Sequence, residues 1–149
     1  MSSTHHSHHS VVYTAKSQAH QHRALSLERL KEMGIRFVRV TWVDLTNTTR
    51  MRVMPMAYLS QLAAARRPGV TMIRATFGAV GITLGEGFTS AGEYLYVLDM
   101  TSVRVCPYAP GHASIMGYFE EKAPVTGADG MPTVTVDLCP RTTLQRIVR

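Results

Sequence analysis

The chain has 149 residues, of which 45% are hydrophobic and 17% charged, with a formal net charge of +6. That is the size of one domain able to bury a real core, and no apolar run approaches the ~18 residues of a membrane span. The positive charge comes mostly from scattered arginines, with no basic run longer than Arg66-Arg67 and no nucleic-acid-binding signature, which argues against a nucleic-acid partner.

No apolar stretch of a secretory signal follows Met1. Residues 1–24 are rich in His, Ser and Gln and carry almost no apolar surface to bury, so this His-rich tail is expected to be disordered. Its histidines have no framework to fix a metal geometry. Cys106 and Cys139 belong to no Cys-x-x-Cys pair and read as the thiols of a cytoplasmic chain.

A helix is predicted over 26–33. Ser26 is its N-cap, Leu27, Leu30 and Met33 share one face, and Gly34 ends it. A strand follows over 37–43, with Val38, Val40 and Trp42 on one face. The polar stretch 44–49 is turn-forming, and 50–55 returns as the second strand of a hairpin. Pro55 sets the start of a helix whose stripe is Met56, Leu59, Leu62 and Ala63, ended by Pro68-Gly69. Residues 70–76 read as a strand. Residues 77–92 read as a long loop, since Gly78, Gly81, Gly85, Gly87 and Gly92 crowd into it. Strands are expected over 94–98, 113–119 and 133–136, with a hairpin connection over 120–132. A last helix over 142–148 carries apolar Leu144, Ile147 and Val148. Helices and strands do not alternate, so the class is α+β. A small mixed sheet with a helix packed across it, a β-grasp arrangement, is one candidate.

The chemistry-bearing residues are dispersed. The glycine-rich stretch has neither a Gly-Lys-Ser/Thr end nor a G-x-G-x-x-G fingerprint. Asp44 sits where capping a turn is its expected work. Glu93 flanks the loop, either as a site residue or as a solvated strand end. His112 stands alone in a connection. No local sequence pairs a nucleophile with a base, and no metal-ligand spacing occurs outside the tail. Catalytic residues and metal ligands are therefore assigned to no position.

Several stretches, taken in order, resemble the N-terminal β-grasp domain of the glutamine synthetase family. They are the hairpin from Phe37 to Asp44 and from Arg50 to Met54-Pro55, the glycine-rich loop, Cys106-Pro107-Tyr108, Asp129-Gly130-Met131-Pro132, and Cys139-Pro140-Arg141. The likeness spans 25–149. Thr89-Ser90-Ala91-Gly92-Glu93-Tyr94 and the Cys-Pro-Arg form look closer to the FluG-like branch than to ordinary type I enzymes.

The resemblance implies a β-grasp domain over 25–140 and, from 141 to 149, the start of a linker helix to a catalytic domain. Members of that family join ammonia to glutamate using ATP and divalent magnesium or manganese, in sites shared between subunits of a ring. The resemblance thus implies no cofactor held by this chain alone, with ATP and Mg/Mn expected only beside the catalytic domain. The implied partner is that domain or a neighbouring subunit. Ordinary type I enzymes read Phe-Asp-Gly-Ser-Ser in the substrate loop, and the Asp helps bind ammonium. Here the stretch reads Phe77-Gly78-Ala79-Val80-Gly81, so glycine stands at the carboxylate position. Gly78, Gly81, Glu86 and Glu93 are the substrate-loop candidates. The alternative is an independent scaffold or regulatory module that binds a protein partner.

Overall fold

The computed structural model describes residues 25–80, 83–84 and 90–148. The tail over 1–24, Gly81 and Glu86 lie outside the described residues.

Helix α1, Leu27–Glu32, starts where the Ser26 hydroxyl accepts the Arg29 N–H at 3.1 Å. Gly34, at φ +73°, reverses the chain after it, and Ile35 N–H bonds back to Leu30 O at 3.0 Å. β1, Phe37–Val43, pairs antiparallel with β2, Thr49–Pro55, and helix α2, Met56–Ala63, follows at once.

β3 is Gly69–Ile73, shorter than the expected 70–76. Residues Arg74–Phe77 coil into a 3-10 turn instead, with the Thr76 hydroxyl donating to Ile73 O at 2.8 Å. The turn delivers Phe77 into the core at 1% exposure. The expected loop contains a small hairpin of β4, Ala79–Val80, and β5, Thr83–Leu84.

β6, Glu93–Val105, does not end at Asp99. The Asp99 carboxylate accepts from Thr101 N–H and hydroxyl, and the register shifts between Asp99 and Arg104 as the strand continues. β7 is His112–Thr126, β8 is Pro132–Thr135, and α3 is Pro140–Ile147.

The main sheet has six strands. Its order is β2-β1-β7-β6-β3, with β8 pairing β7. Among the described residues only β1 and β7 run parallel, so the sheet is mixed. Leu30 of α1 and Leu59 of α2 are fully buried against Val38, Val40 and Ile115 of the sheet, one continuous core. This is an α+β, β-grasp architecture. Alternation places the face expected from the sequence, Val38, Val40 and Trp42, inward.

Candidate functional site

The β1–β2 turn and the glycine-rich segment are tied together. Asp44 is 3% exposed. One carboxylate oxygen accepts from Thr46 N–H (2.9 Å), Thr46 hydroxyl (2.7 Å) and Thr48 N–H (2.9 Å), and the other meets Arg50 Nε at 2.5 Å. Burial alone would raise the Asp44 pKa. The bonds from Thr46, Thr48 and Arg50 outweigh it and hold the carboxyl below its ordinary value. Arg50 also donates to Ala79 O at 2.8 Å, and Leu45 N–H donates to Phe77 O at 2.9 Å. Gly78 lies between these two anchors and is buried. Asp44 caps its turn, as its position implied, and through Arg50 it also fixes the start of the loop.

The far end of the loop is held by Arg74. Its N–H bonds Gly92 O at 3.1 Å, and its guanidinium meets Glu121 at 2.8 Å and lies over the Tyr94 ring at 4.7 Å. Gly92 has φ +87°, and a Cβ there would stand 3.1 Å from the Arg74 side chain, so glycine suits both the conformation and the space. Phe77 and Tyr94 meet edge to face at 5.5 Å, bringing the two loop ends together. Glu93 sits beside this contact, paired with Lys122 at 2.7 Å and 46% exposed. Among the described residues, the acids of this region, Asp44, Glu93 and Glu121, all have a basic partner.

A second feature lies where the sheet opens. β1 pairs the first part of β7 up to Ile115, and β8 joins the same edge only from Glu120. Between them β7 has no strand neighbour on that side among the described residues. Side chains fill in: Tyr96 hydroxyl accepts Gly117 N–H at 2.7 Å and donates to Thr41 O at 2.8 Å, and Cys139 sulfur accepts Phe119 N–H at 3.4 Å. Burial, its largest cause, pushes the Tyr96 pKa up to about 12. Over this gap sits a mostly apolar cleft of about 390 Å³ lined by Trp42, Val43, Met116, Pro140 and Leu144, among others. Arg141 at its rim pairs with Asp99 at 2.5 Å. Burial raises the Asp99 pKa, and its bonds to Thr101 and Arg141 more than reverse that.

Sequence reasoning found the loop ends but missed Arg50, Arg74 and Tyr96. The first had a readable signal, a basic residue across the turn from an acid. The other two act over distances that no local pattern carries. Among the described residues no group of three His, Cys, Asp or Glu is placed to hold a metal ion, and no helix is long and apolar enough to cross a membrane. Cys106 and Cys139 are buried free thiols. The described arrangement can position a loop and offer an apolar surface. It gathers no nucleophile with a base.

No protein-family model matches the sequence, and no curated protein does. Solved structures do. One, titled as a GmaS/ADP complex, superposes with a TM-score of 0.56 at 19% identity, over 81% of this chain and 24% of that protein. Another, titled as a novel glutamine synthase homolog, superposes with a TM-score of 0.53 at 26% identity, over 75% of this chain and 25% of that one. The fold is thus glutamine synthetase-like, and the chain spans about a quarter of these relatives' length.

Proposed function

We propose that this chain is the N-terminal β-grasp domain of a glutamine synthetase-like ligase, one that joins glutamate to ammonia or another amine at the expense of ATP. In this reading it belongs to a cytoplasmic enzyme of nitrogen metabolism, of the FluG-like branch, and is not catalytic alone. The domain covers 25–140, and the helix from about 141 leads to a catalytic domain. That domain, on this chain or on a neighbouring subunit, holds ATP and magnesium or manganese. The β-grasp part contributes the loop that begins at Gly78 and ends at Glu93, with Gly81 and Glu86 within it.

The observation that carries this reading is the shared fold over most of this chain and only a quarter of its relatives. The local chemistry agrees with it. Phosphoryl transfer to a carboxylate needs metal ions and donors converging on developing charge, and among the described residues the acids beside this loop are already paired. Gly78 lacks the charge to attract ammonium, which points to an amine other than ammonia as the nucleophile.

Two measurements test it. Metal-dependent phosphate release with glutamate and a panel of amines should be undetectable for the 149-residue chain and present for the protein translated from a reading frame that continues past Arg149. Turnover by the short chain alone, on the order of 1 per second, would refute the reading, as would a stop codon directly after Arg149 in a chain that stays a stable monomer. In the longer protein, Gly78→Asp should raise the preference for ammonia, because a carboxylate at contact distance attracts a cation by about 1–4 kcal/mol in a wet site.

A further inference from the structure

The outer face of the sheet carries an arginine with no acid partner. β1 turns Phe37, Arg39, Thr41 and Val43 away from the core, and the register sets Arg39 between Val53 of β2 and Ser114 of β7. Two neighbours orient it. Its Nε donates to His112 Nδ1 at 3.3 Å, and its guanidinium carbon lies 5.4 Å from the centre of the Tyr108 ring. His112 is in turn stacked on Phe37, with ring centres 5.1 Å apart. Elsewhere Arg29, Arg50, Arg67, Arg74, Arg141 and Arg146 each meet a carboxylate. Among the described residues Arg39 forms no such pair, and neither do Arg36, Arg52, Arg66 and Arg104; what sets Arg39 apart is its orientation by a histidine and an aromatic ring. A guanidinium held in one plane loses little freedom when it binds, and its fork matches a carboxylate.

We propose that Arg39, oriented by His112 and Tyr108, is a receptor site for a carboxylate on an acidic segment of a partner polypeptide. A second copy of this chain is poorly suited to supply that group. Of the described acids only Glu28 and Asp129 lie outside ion pairs, and the Asp129 carboxylate already accepts Met131 N–H at 3.0 Å. The surroundings favour polypeptide over nucleic acid. Phe37 and Val53 are 37% and 47% exposed, an apolar rim beside the charge. Phosphate tracks use several basic side chains in line. Here Arg104, across Ser114 in β6, is folded back onto the carbonyls of Thr101 and Val103. The site goes beyond the ligase reading and does not depend on it.

The test uses the full chain labelled with ¹⁵N, following the Arg39 Nε–H signal by NMR. The probes are the blocked peptide Leu-Glu-Leu-Glu-Leu, sodium glutarate and a decathymidylate. The peptide should shift the signal saturably and bind at least about tenfold more tightly than glutarate, its apolar residues adding contacts that the diacid lacks. Peptide binding, followed at neighbouring amides, should vanish in Arg39→Gln and weaken about tenfold in Arg39→Lys, which keeps the charge but loses the fork. Tyr108 is 73% exposed, so Tyr108→Ala keeps the fold and should weaken binding about threefold. Peptide binding unchanged in Arg39→Gln, no shift with any probe, glutarate as tight as the peptide, or a tighter oligonucleotide would each overturn the proposal.

Discussion

Tyr96 and Gly117 are built for each other. The hydroxyl of Tyr96 accepts the Gly117 N–H at 2.7 Å, and a Cβ on Gly117 would lie 3.0 Å from the Tyr96 ring. A tyrosine on one strand thereby closes a hole between two others. Tyr96→Phe should leave Gly117 N–H and Thr41 O without their partner and lower stability by about 1–3 kcal/mol. Urea denaturation checks the loss, and faster exchange of the Gly117 amide would locate it.

Burial of the same hydroxyl predicts an alkaline transition, against the smaller opposing pull of the Gly117 N–H. Folded Tyr96 titrates near 12 rather than its ordinary 10.0. A raised value means that the unfolded chain gives up this proton first, so stability is intact below pH 10 and falls between roughly 10 and 12. Melting temperature measured across that range should show the decline, and Tyr96→Phe should reduce it.

Gly117→Ala should be more damaging than the loss of the tyrosine hydroxyl. The added carbon would overlap Val97 O, which is backbone on the adjacent strand. Relief requires the two strands to part, at a cost of about 3 kcal/mol or more. A variant that is folded with an unchanged denaturation midpoint would disprove this account of the glycine.

In acid the two carboxylates with lowered pKa values govern. Asp44 and Asp99 both titrate below their ordinary 3.8 when folded. Their contribution is therefore fully present above about pH 4 and lost as pH falls through the folded values. Melting temperature should drop as pH falls below about 4. Asp44→Asn should flatten that drop and reduce stability at neutral pH by about 1–3 kcal/mol through the loss of the Arg50 pair.

Helix α3 and its C-cap leave Leu144, Ile147 and Val148 at 59%, 76% and 55% exposure, and Leu144 lines the apolar cleft. Such a patch favours association. Sedimentation of the isolated chain should show concentration-dependent self-association, and Leu144→Glu with Ile147→Glu should suppress it.

Much of the fold is legible in the sequence. The alternation of Val38, Val40 and Trp42, the Ser26 cap and the Pro55 helix start each act within a few residues, where backbone geometry and side-chain spacing decide the outcome. What escaped depends on distant partners. The strand expected to stop at Asp99 continues because that carboxylate bonds its own neighbours and Arg141, 42 residues away. The strand expected to reach Thr76 stops early because Phe77 is drawn into the core against Phe119, with ring centres 4.0 Å apart. Of the loop candidates, Gly78 and Glu93 proved to be the fixed ends of the loop. The residues that fix them, Arg50, Arg74 and Lys122, come from other elements.

The parallel pairing of β1 with β7 has a consequence for how the chain acquires its shape. Arg39 and His112, neighbours across that central pair, are 73 residues apart in sequence. The β1–β2 hairpin closes locally and early, but its buried face stays uncovered on the β7 side until that strand is available. During synthesis the emerging chain therefore holds an open apolar edge from the completion of β2 at Pro55 until β7, which begins at His112, has emerged, and that interval is when this domain is most exposed to aggregation.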